Sequence, residues 1–321
     1  MYDIAVIIIN YRTPNMTIKC LESLIPEISQ ISSCVVVIDN ASGDESNDII
    51  GEWLINNNAD SKVRFIHSLK NLGFSGGNNL GIRSIESKYY LLLNSDTLIK
   101  TGAVKKLINA ATTHPNAGIV SPRLEDIDGT PQINCFKYIH PFSEFIASAQ
   151  TGLITQLLKK YDVPLPVKNI IDSPEWTSFA CVLIKYEVFD DVGLLDDEFF
   201  MYFEDTEFCF RARKSGWDII NNPESHIIHL QGASSKIEER TKYKKRLPRY
   251  YYEARTRYFY KLYGRVGVVS ANTFWWLGRI VSLLRQLLGR KDKAVVKKKW
   301  RDNWINCVNP LKPYIPPINR K

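Results

Sequence analysis

The run IAVIII, residues 4–9, decides the fold, because an uninterrupted apolar and mostly β-branched run is typical of a strand buried on both faces. Similar short runs follow it, and segments with helical periodicity lie between them. This alternation predicts βαβ units and a mostly parallel sheet, with ligand sites beyond the carboxyl ends of the strands. The predicted strands are 4–9, 34–38, 63–67 and 89–93, and the predicted helices between them are 15–30, 45–56 and 78–87.

Beyond residue 93 the pattern is less regular. Residues 130–170 have weak periodicity and contain Pro141, Pro164 and Pro166, which predicts an irregular insertion. The remaining predicted elements are a strand at 178–184 and helices at 205–215, about 245–263 and 266–290.

The charge is distributed unevenly along the chain. The 321 residues carry a net charge of +8, but residues 1–235 are acidic, with a net charge of −10, and residues 236–321 are basic, with a net charge of +18. An acidic region can hold a metal ion, whereas a basic tail favours phosphate groups in lipid headgroups or nucleic acid. We therefore expect two parts with different tasks.

The cysteines predict a reducing compartment. None of the six forms a C-x-x-C pair and most lie in apolar runs, so buried free thiols are expected rather than a structural zinc site. The N-terminus shows no signal-peptide pattern, and its apolar run is too short to span a bilayer, which favours a cytoplasmic location. The cysteines are Cys20, Cys34, Cys135, Cys181, Cys209 and Cys307.

Polar residues follow the first two predicted strands. Asn10-Tyr11-Arg12 ends the first, and Asp39 lies at the end of the second, within VIDNASGD (37–44). A carboxylate at a strand tip can accept hydrogen bonds from a nucleobase or ribose. The alternative is ordinary turn chemistry, which Asp followed by Asn and Gly also favours.

A glycine-rich loop, NLGFSGGNNLG (71–81), follows the third strand. Its glycines allow the backbone to approach a ligand closely, and the following helix N-terminus favours anionic groups. The loop is neither G-x-G-x-x-G nor a P-loop, which disfavours dinucleotide-binding and NTPase functions. A purely structural turn is the alternative.

The fourth strand ends in LNSDT (93–97), a compact set of oxygen ligands. Mg²⁺ and Mn²⁺ prefer oxygen ligands and commonly share them with substrate phosphates. The first of the two candidate ligands is an amide, Asn94, where an acid is usual. Asp96 is therefore the stronger candidate ligand. An Asx turn is the alternative.

Two further segments carry titratable groups. In FFMYFEDTEFCFR (199–211), an aromatic run leads into Glu204 and Asp205, and carboxyl groups beside aromatic rings become better proton acceptors through partial desolvation. Helix capping by Asp205 is the alternative. In HIIHL (226–230), a neutral imidazole could complete a Mg²⁺ or Mn²⁺ shell, although a lone histidine is more often structural.

Taken in this order, these elements resemble glycosyltransferase family 2 with the GT-A fold, over roughly residues 4–232. The forms NLGFSGGNN and FEDxExCxR most resemble bacterial rhamnosyltransferases of cell-surface polysaccharide synthesis. The resemblance implies an inverting, metal-dependent transfer from a nucleotide-diphosphate sugar. It also implies a catalytic domain over 1–235, with a nucleotide-sugar half at about 1–100 and an acceptor half at about 101–235. Residues 236–321 would then form a basic, helical extension.

The family's roles carry over by position. Asp39 resembles the residue that holds the nucleobase and ribose, and Asp96 resembles the last acid of the D-x-D motif, which binds Mg²⁺ or Mn²⁺. Asp205 resembles the general base, with Glu204 as the second candidate, and His229 falls where some members supply a metal-binding histidine. Asn94 departs from the D-x-D motif. The residues expected at the nucleotide sugar are Asn10, Tyr11, Arg12, Asp39, Asn71, Gly73, Phe74, Asn78, Asn94, Ser95 and Asp96.

By resemblance, the donor is dTDP-L-rhamnose and the acceptor is a lipid-linked saccharide of O-antigen or capsule type. UDP-hexoses and UDP-galactofuranose are the alternative donors. Arg211 or Arg213 could contact the diphosphate, the alternative being an ordinary place on a helix surface.

The tail predicts contact with a membrane surface. Residues 266–290 combine leucines at helical spacing with Trp275, Trp276 and several arginines, and Lys297–Lys299 add positive charge. Such helices lie in the bilayer interface and attract anionic lipids. The arginines argue against a spanning helix. Packing on the catalytic domain, or dimerisation, is the alternative.

Two other functions agree less well with the sequence. A sugar-phosphate nucleotidyltransferase needs a glycine-rich loop directly after the first strand, where this chain has NYRTP (10–14). A nucleic-acid-binding protein could use the aromatic and basic residues of 249–263 for stacking, but the acidic front would then have no role. We therefore expect no nucleic-acid partner.

Overall fold

The structure is a computed structural model that describes residues 1–171, 173–230, 240–241, 243–289 and 295–315. The first half contains β1 (Tyr2–Asn10), α1 (Pro14–Ile28), β2 (Ser33–Asp39), α2 (Ser46–Asn56), β3 (Val63–His67), α3 (Gly73–Arg83), β4 (Ser87–Asn94), β5 (Thr97–Ile99), α4 (Ala103–Thr113) and β6 (Ala117–Glu125). The second half contains β7 (Cys135–Phe136), α5 (Pro141–Ala149), α6 (Gly152–Leu157), a 3-10 turn (Lys159–Tyr161), β8 (Trp176–Thr177), β9 (Cys181–Lys185), α7 (Tyr186–Val192), α8 (Glu204–Lys214), β10 (Asp218–His229), α9 (Arg249–Leu287) and α10 (Lys299–Asp302).

Eight strands form one mixed sheet in the order β3-β2-β1-β4-β9-β6-β10-β5, and β7 and β8 form a separate pair. Strands β1 to β4 are mutually parallel, β9 runs antiparallel between β4 and β6, and β10 is parallel to β6. The carboxyl ends of β1 to β4, β6 and β10 therefore lie along one edge. The loops after the first four strands follow these ends, whereas the segment 199–211 follows α7 and continues into α8.

The two faces of the sheet carry separate apolar cores, as alternation along β1 requires. Ile4, Val6 and Ile8 pack with α1, α2 and α4, whereas Ala5 and Ile7 pack with α3, α7 and α8. Helix α3 approaches β1 closely through glycines. A Cβ atom at Gly81 would lie 2.5 Å from Ile7 Cγ2, so any larger residue there would push the helix away from the strand.

The four predicted N-terminal strands are confirmed, and two other predictions are corrected. The predicted helix 78–87 begins earlier, at Gly73, because close packing on β1 outweighs the low helix propensity of glycine. The insertion 130–170 is not wholly irregular, since it contains α5, α6 and the 3-10 turn. The two predicted tail helices are confirmed, because α9 consists of two helical parts that meet at Gly264, whose backbone is not helical (φ 67°).

Helix α9 packs against α5. At least this helix of the tail therefore packs on the preceding part of the chain, which was the alternative to membrane contact. Arg255 is buried between the two helices, where it donates to Glu144 Oε1 (3.0 Å) and Asn272 Oδ1 (2.7 Å). The predicted domain boundary at 235 lies outside the described residues, and the division into two parts stays a prediction. In the described part of the chain, no helix combines the length and apolarity needed to cross a membrane.

Candidate active site

Asp39, at the end of β2, is held by a network that begins on β1. Asn10 Nδ2 donates to Asp39 Oδ1 over 2.8 Å, and the Ser42 backbone N donates to Asp39 Oδ2 over 3.2 Å. Asn10 is fully buried, and its Oδ1 accepts from Thr17 Oγ1 at 2.9 Å, so its polar atoms are used within the protein. Asn10 therefore orients Asp39.

Tyr11 and Arg12 lie on the exposed rim beside this network. Arg12 has a left-handed backbone (φ 60°), its backbone N donates to Ser42 Oγ, and its Nε donates to the Ser42 carbonyl at 2.8 Å. Its guanidinium carbon lies 5.3 Å from the centre of the Tyr11 ring. Both side chains thus stay close to the Asp39 loop.

Asn40, which sequence reasoning passed over, joins the Asp39 loop to the glycine-rich loop. Its Nδ2 donates to the Gly73 carbonyl (2.9 Å) and to Asn71 Oδ1 (3.2 Å), and its Oδ1 accepts from the Leu72 backbone N (2.9 Å). Asn71 Oδ1 also accepts from the Gly73 backbone N. Asn71 and Asn40 therefore fix the shape of the loop.

The glycine-rich loop contacts the aromatic segment directly. The Phe74 backbone N donates to the Phe200 carbonyl over 2.7 Å, and a Cβ atom at Gly73 (φ 71°) would lie 2.0 Å from that same oxygen. Only glycine fits at position 73. Asn78 is buried and donates to the Phe74 carbonyl, which stabilises the first turn of α3.

Asp96 is a buried carboxylate that lacks a hydrogen-bond partner. Its side chain is 1% exposed, and neither Oδ1 nor Oδ2 has a partner among the described residues. An unsatisfied buried carboxylate is costly, since burying a charge requires pairing or metal coordination. A cation beside Asp96 removes that cost.

His229, at the end of β10, supplies the group that faces Asp96. Its Nε2 lies 3.6 Å from Asp96 Oδ1, and the backbone of the next residue, Leu230, donates to the Asp96 carbonyl at 2.9 Å. The described residues contain no group of three or more His, Cys, Asp or Glu side chains suited to a metal. Asp96 and His229 nevertheless fit Mg²⁺ or Mn²⁺, because such ions commonly complete their shells with water and substrate phosphates.

The Glu204–Asp205 pair follows a strained turn. Tyr202 and Phe203 both adopt left-handed backbone conformations (φ 76° and 69°), which cost about 1–3 kcal/mol each for residues other than glycine. The turn begins α8 and places both carboxyl groups in its first turn. Paired outliers of this kind are typical of functional sites.

Both carboxyl groups have raised pKa values. Burial raises the pKa of Asp205 to about 6, partly offset by hydrogen bonds from the Thr206 backbone N (2.7 Å) and hydroxyl (3.2 Å). Burial, and then the neighbouring Asp205 charge, raise the pKa of Glu204 well above its ordinary value. Asp205 is only half-buried, so it combines a raised pKa with access to a ligand.

The segment before β9 connects Asp205 to the end of β4. The Phe179 backbone hydrogen-bonds Asp205, and the carbonyl of Ala180 accepts from the Asn94 backbone N at 2.9 Å. Ser95, next to Asn94, lies with its Oγ 3.3 Å from Thr13 Oγ1. The end of β4 and the start of α8 are thus joined through two successive residues at one edge of the sheet.

Helix α9 holds the segment that carries the base. Asp196 Oδ2 accepts from Arg257 Nε (3.1 Å) and Lys261 Nζ (2.8 Å), and Phe199 and Phe203 pack with α9 in a single apolar cluster. The backbone of Leu195 is bonded on its other side to the Asn79 side chain of α3. The tail and the glycine-rich loop therefore both position this segment.

Two residues considered for the diphosphate have structural partners instead. Arg211 binds Glu207 and the carbonyls of Val192 and Leu194, and Arg213 donates to the Pro174 carbonyl at 3.0 Å. These contacts agree with the alternative of an ordinary place on a helix surface, since the two guanidinium groups stabilise α8 and its neighbours.

The site also contains residues that sequence reasoning missed. Their signal was faint, because each works through contacts distant in the chain, and only the polarity of Asn40 and Ser42 within a motif already singled out pointed to them. The missed residues are Asn40, Ser42, Gln132, Phe179 and Phe200.

Comparison with known proteins agrees with this arrangement. Residues 5–152 match the family model described as glycosyl transferase family 2. The low-salt glycan biosynthesis hexosyltransferase Agl10 of Haloferax volcanii is 32% identical over 235 residues, which are 71% of this chain and 67% of the relative. The dTDP-rhamnosyl transferase RfbF of Shigella flexneri is 25% identical over 236 residues, which are 73% of this chain and 71% of the relative.

Among solved structures, the mannosyltransferase PcManGT from Pyrobaculum calidifontis, in complex with GDP-Man and Mn²⁺, is similar with a TM-score of 0.57. The similarity covers 92% of this chain and 79% of that one, at 13% sequence identity. At this identity the likeness concerns the fold alone. The prediction of a GT-A fold is confirmed.

Proposed function

This chain belongs to glycosyltransferase family 2, and from that premise we propose that it transfers L-rhamnose from dTDP-L-rhamnose, with inversion, to a lipid-linked saccharide. The observation that carries the proposal is the joint placement of two unusual carboxyl groups at one sheet edge. Asp96 is buried without a hydrogen-bond partner among the described residues, and Asp205 has a pKa of about 6. A site for diphosphate departure and a site for proton removal are both required by this reaction.

On the donor side, we assign Asp39 to the ribose or base, with Asn10 and Ser42 fixing the carboxylate. The glycine-rich loop then lines the nucleotide pocket. Asp96 and His229 would hold Mg²⁺ or Mn²⁺, which would supply Lewis-acid stabilisation of the negative charge on the departing diphosphate. The complex of PcManGT with Mn²⁺ and GDP-Man supports this assignment by analogy.

On the acceptor side, Asp205 accepts the proton of the attacking hydroxyl group. Attack from the face opposite the diphosphate forms the new glycosidic bond as the old carbon–oxygen bond breaks, which inverts the anomeric centre. Glu204, more deeply buried, stays protonated over a wider pH range and so leaves Asp205 as the acceptor.

The pH dependence of turnover tests the base. Since burial raises the pKa of Asp205 from 3.8 to about 6, the carboxyl is protonated and inactive below that value. We expect kcat at saturating substrate to rise tenfold per pH unit below about 6 and to level off above it. A rate that stays constant down to about pH 4.5 would contradict this assignment.

The donor sugar is tested with a panel of nucleotide sugars in metal-dependent thermal shift. We expect dTDP-L-rhamnose to raise Tm most, in keeping with the name of the Shigella relative. A larger shift with UDP-galactofuranose or a UDP-hexose would keep the proposed mechanism and replace the donor.

The second half of α9 supports a location at the inner face of the bacterial cytoplasmic membrane. Its buried stripe consists mostly of small residues, so that a Cβ atom at Gly278 would lie 2.1 Å from Ser148 Oγ of α5. Seven large apolar residues face outward, where Leu287 is 84% exposed, whereas Trp275 is buried. The outward stripe consists of Trp276, Leu277, Ile280, Leu283, Leu284, Leu287 and Leu288.

Positive charge borders this stripe. Trp300 lies 6.2 Å from Trp276, ring centre to ring centre, and is flanked by exposed Lys297, Lys298 and Arg301. Arg285, one of the tail's arginines, donates to the Ala149 and Gln150 carbonyls at the end of α5. An apolar stripe with a basic border fits an anionic bilayer.

Flotation with phosphatidylglycerol vesicles tests this surface. The triple change Ile280→Gln, Leu284→Gln and Leu287→Gln should weaken partitioning at least about tenfold, since burying one such side chain contributes about 1.5–3 kcal/mol. The matched control changes two exposed apolar residues elsewhere, Ile55→Gln and Leu69→Gln.

Equal partitioning of the triple variant and wild type would defeat the membrane proposal. Substitutions are preferable to removing the tail from residue 264. Truncation would also remove Asn272, which binds buried Arg255, and would expose the core of the catalytic part.

A further inference from the structure

Gln132 lies in the loop after β6 and is 7% exposed. Its Nε2 is 2.6 Å from Asp126 Oδ1 and 2.8 Å from the His229 carbonyl oxygen, and its Oε1 is 3.2 Å from His229 Nδ1. The Gln132 backbone N donates to the Leu124 carbonyl, which fixes the residue beside β6. The side chain therefore meets three polar atoms in a fixed setting.

The chemistry of these neighbours determines which way the Gln132 amide points. A backbone carbonyl oxygen and a carboxylate oxygen accept hydrogen bonds, and the amide NH₂ has two donors to offer them. Rotating the amide by 180° would instead bring its oxygen against both acceptors. The amide oxygen must therefore face His229 Nδ1.

This orientation fixes the tautomer of His229. An amide oxygen only accepts, so Nδ1 carries the hydrogen, and in a neutral imidazole the lone pair is then on Nε2. Nε2 is the atom that lies 3.6 Å from Asp96 Oδ1. Two electron-rich atoms thus face each other, an arrangement that a cation between them stabilises.

We propose that Gln132 is a positioning residue that holds His229 in its Nδ1–H tautomer and thereby presents Nε2, together with Asp96, to a divalent cation. The proposal rests on the proposed function for its assignment of the cation site. Gln132 itself need not touch the metal ion, the donor or the acceptor. Groups that orient a metal-binding histidine through its other nitrogen are worth about 10–100-fold in metal affinity.

Nitrogen-15 NMR of the imidazoles tests the tautomer in metal-free, full-length protein. The chain has five histidines, so His229→Asn identifies the signal of His229. We expect the Nδ1–H tautomer in wild type and a shift towards the Nε2–H tautomer in Gln132→Met, which removes the acceptor at similar volume. Wild-type protein in the Nε2–H tautomer would overturn the proposal.

Mn²⁺ titration followed by electron paramagnetic resonance, with dTDP present, provides the second readout. Gln132→Met should bind Mn²⁺ about 10–100-fold more weakly, whereas the exposed control Gln30→Met should bind like wild type.

The outcomes separate this proposal from the proposed function. Unchanged Mn²⁺ affinity in a folded Gln132→Met protein, beside measurable wild-type binding, would overturn the positioning role alone. Absence of Mn²⁺ binding by wild type would overturn the assigned cation site and, with it, the role of Gln132 at that site. The NMR result would still report whether Gln132 sets the tautomer.

Discussion

Asp205→Asn is expected to lower kcat by about 10²–10⁴-fold while the Kd for the nucleotide sugar changes little. The amide has the same shape, and its oxygen can still accept from the Thr206 backbone N, but it cannot take a proton from the acceptor hydroxyl. The change also removes the cost of desolvating the Asp205 carboxylate, so unfolding is not expected to become easier. Initial rates and calorimetric donor titrations measure both quantities.

The matched control for this prediction is Asp190→Asn, an exposed acid on α7, which should leave kcat unchanged. Glu204→Gln serves as the second variant. A near wild-type rate for Asp205→Asn, or a large loss confined to Glu204→Gln, would show that the base has been assigned to the wrong residue.

Asp96→Asn is expected to weaken metal-dependent donor binding at least about 100-fold. The change removes the carboxylate charge at a position where both oxygens lack hydrogen-bond partners among the described residues. Charge stabilisation by a metal ion is worth several kcal/mol, and each 1.4 kcal/mol is tenfold in affinity. Calorimetry with Mn²⁺, and again with a chelator, measures the difference.

The control for Asp96 is Asp60→Asn. Asp60 is an exposed acid before the amino end of β3, and the strand-end loops lie at the carboxyl ends of the strands. It should retain the wild-type dependence on Mn²⁺. If wild type itself bound the donor with one affinity in metal and in chelator, the metal would have no part in donor binding.

The sequence was sufficient to predict β1 to β4 and the loops that follow them, whereas β6 and β10 were not predicted. Buried parallel strands are recognisable from continuous apolar runs such as 4–9, and a site at their carboxyl ends follows from the fold class. Asp39, Asp96 and Asp205 could be predicted in this way because each lies in or beside a recognisable motif. The contacts that surround them could not be predicted.

Residues that act through distant contacts escaped prediction. Gln132 lies in a stretch with weak periodicity, and its partner His229 is 97 residues away. The early start of α3 depends on glycine packing against β1, which local propensity opposes. The Arg285 side chain points inward because it donates to a carbonyl at the end of α5. The position of that helix end cannot be predicted from the sequence of the tail alone.

The contacts of α9 connect the tail with catalysis. Its Arg257 and Lys261 bind Asp196 in the segment that leads to the base, and its outer stripe is the proposed membrane surface. A lipid-linked acceptor and the base would then be held by the two parts of α9, on either side of Gly264. The tail is in this sense part of the catalytic unit and not merely an anchor.

The most direct test of the account is a crystal structure with dTDP and Mn²⁺, read by anomalous scattering at the manganese edge. The account predicts one anomalous peak within bonding distance of Asp96 and His229 Nε2, with a diphosphate oxygen in its shell and Asp205 facing the same cavity. Diphosphate bound away from Asp96, or a metal and Asp205 in separate cavities, would contradict it.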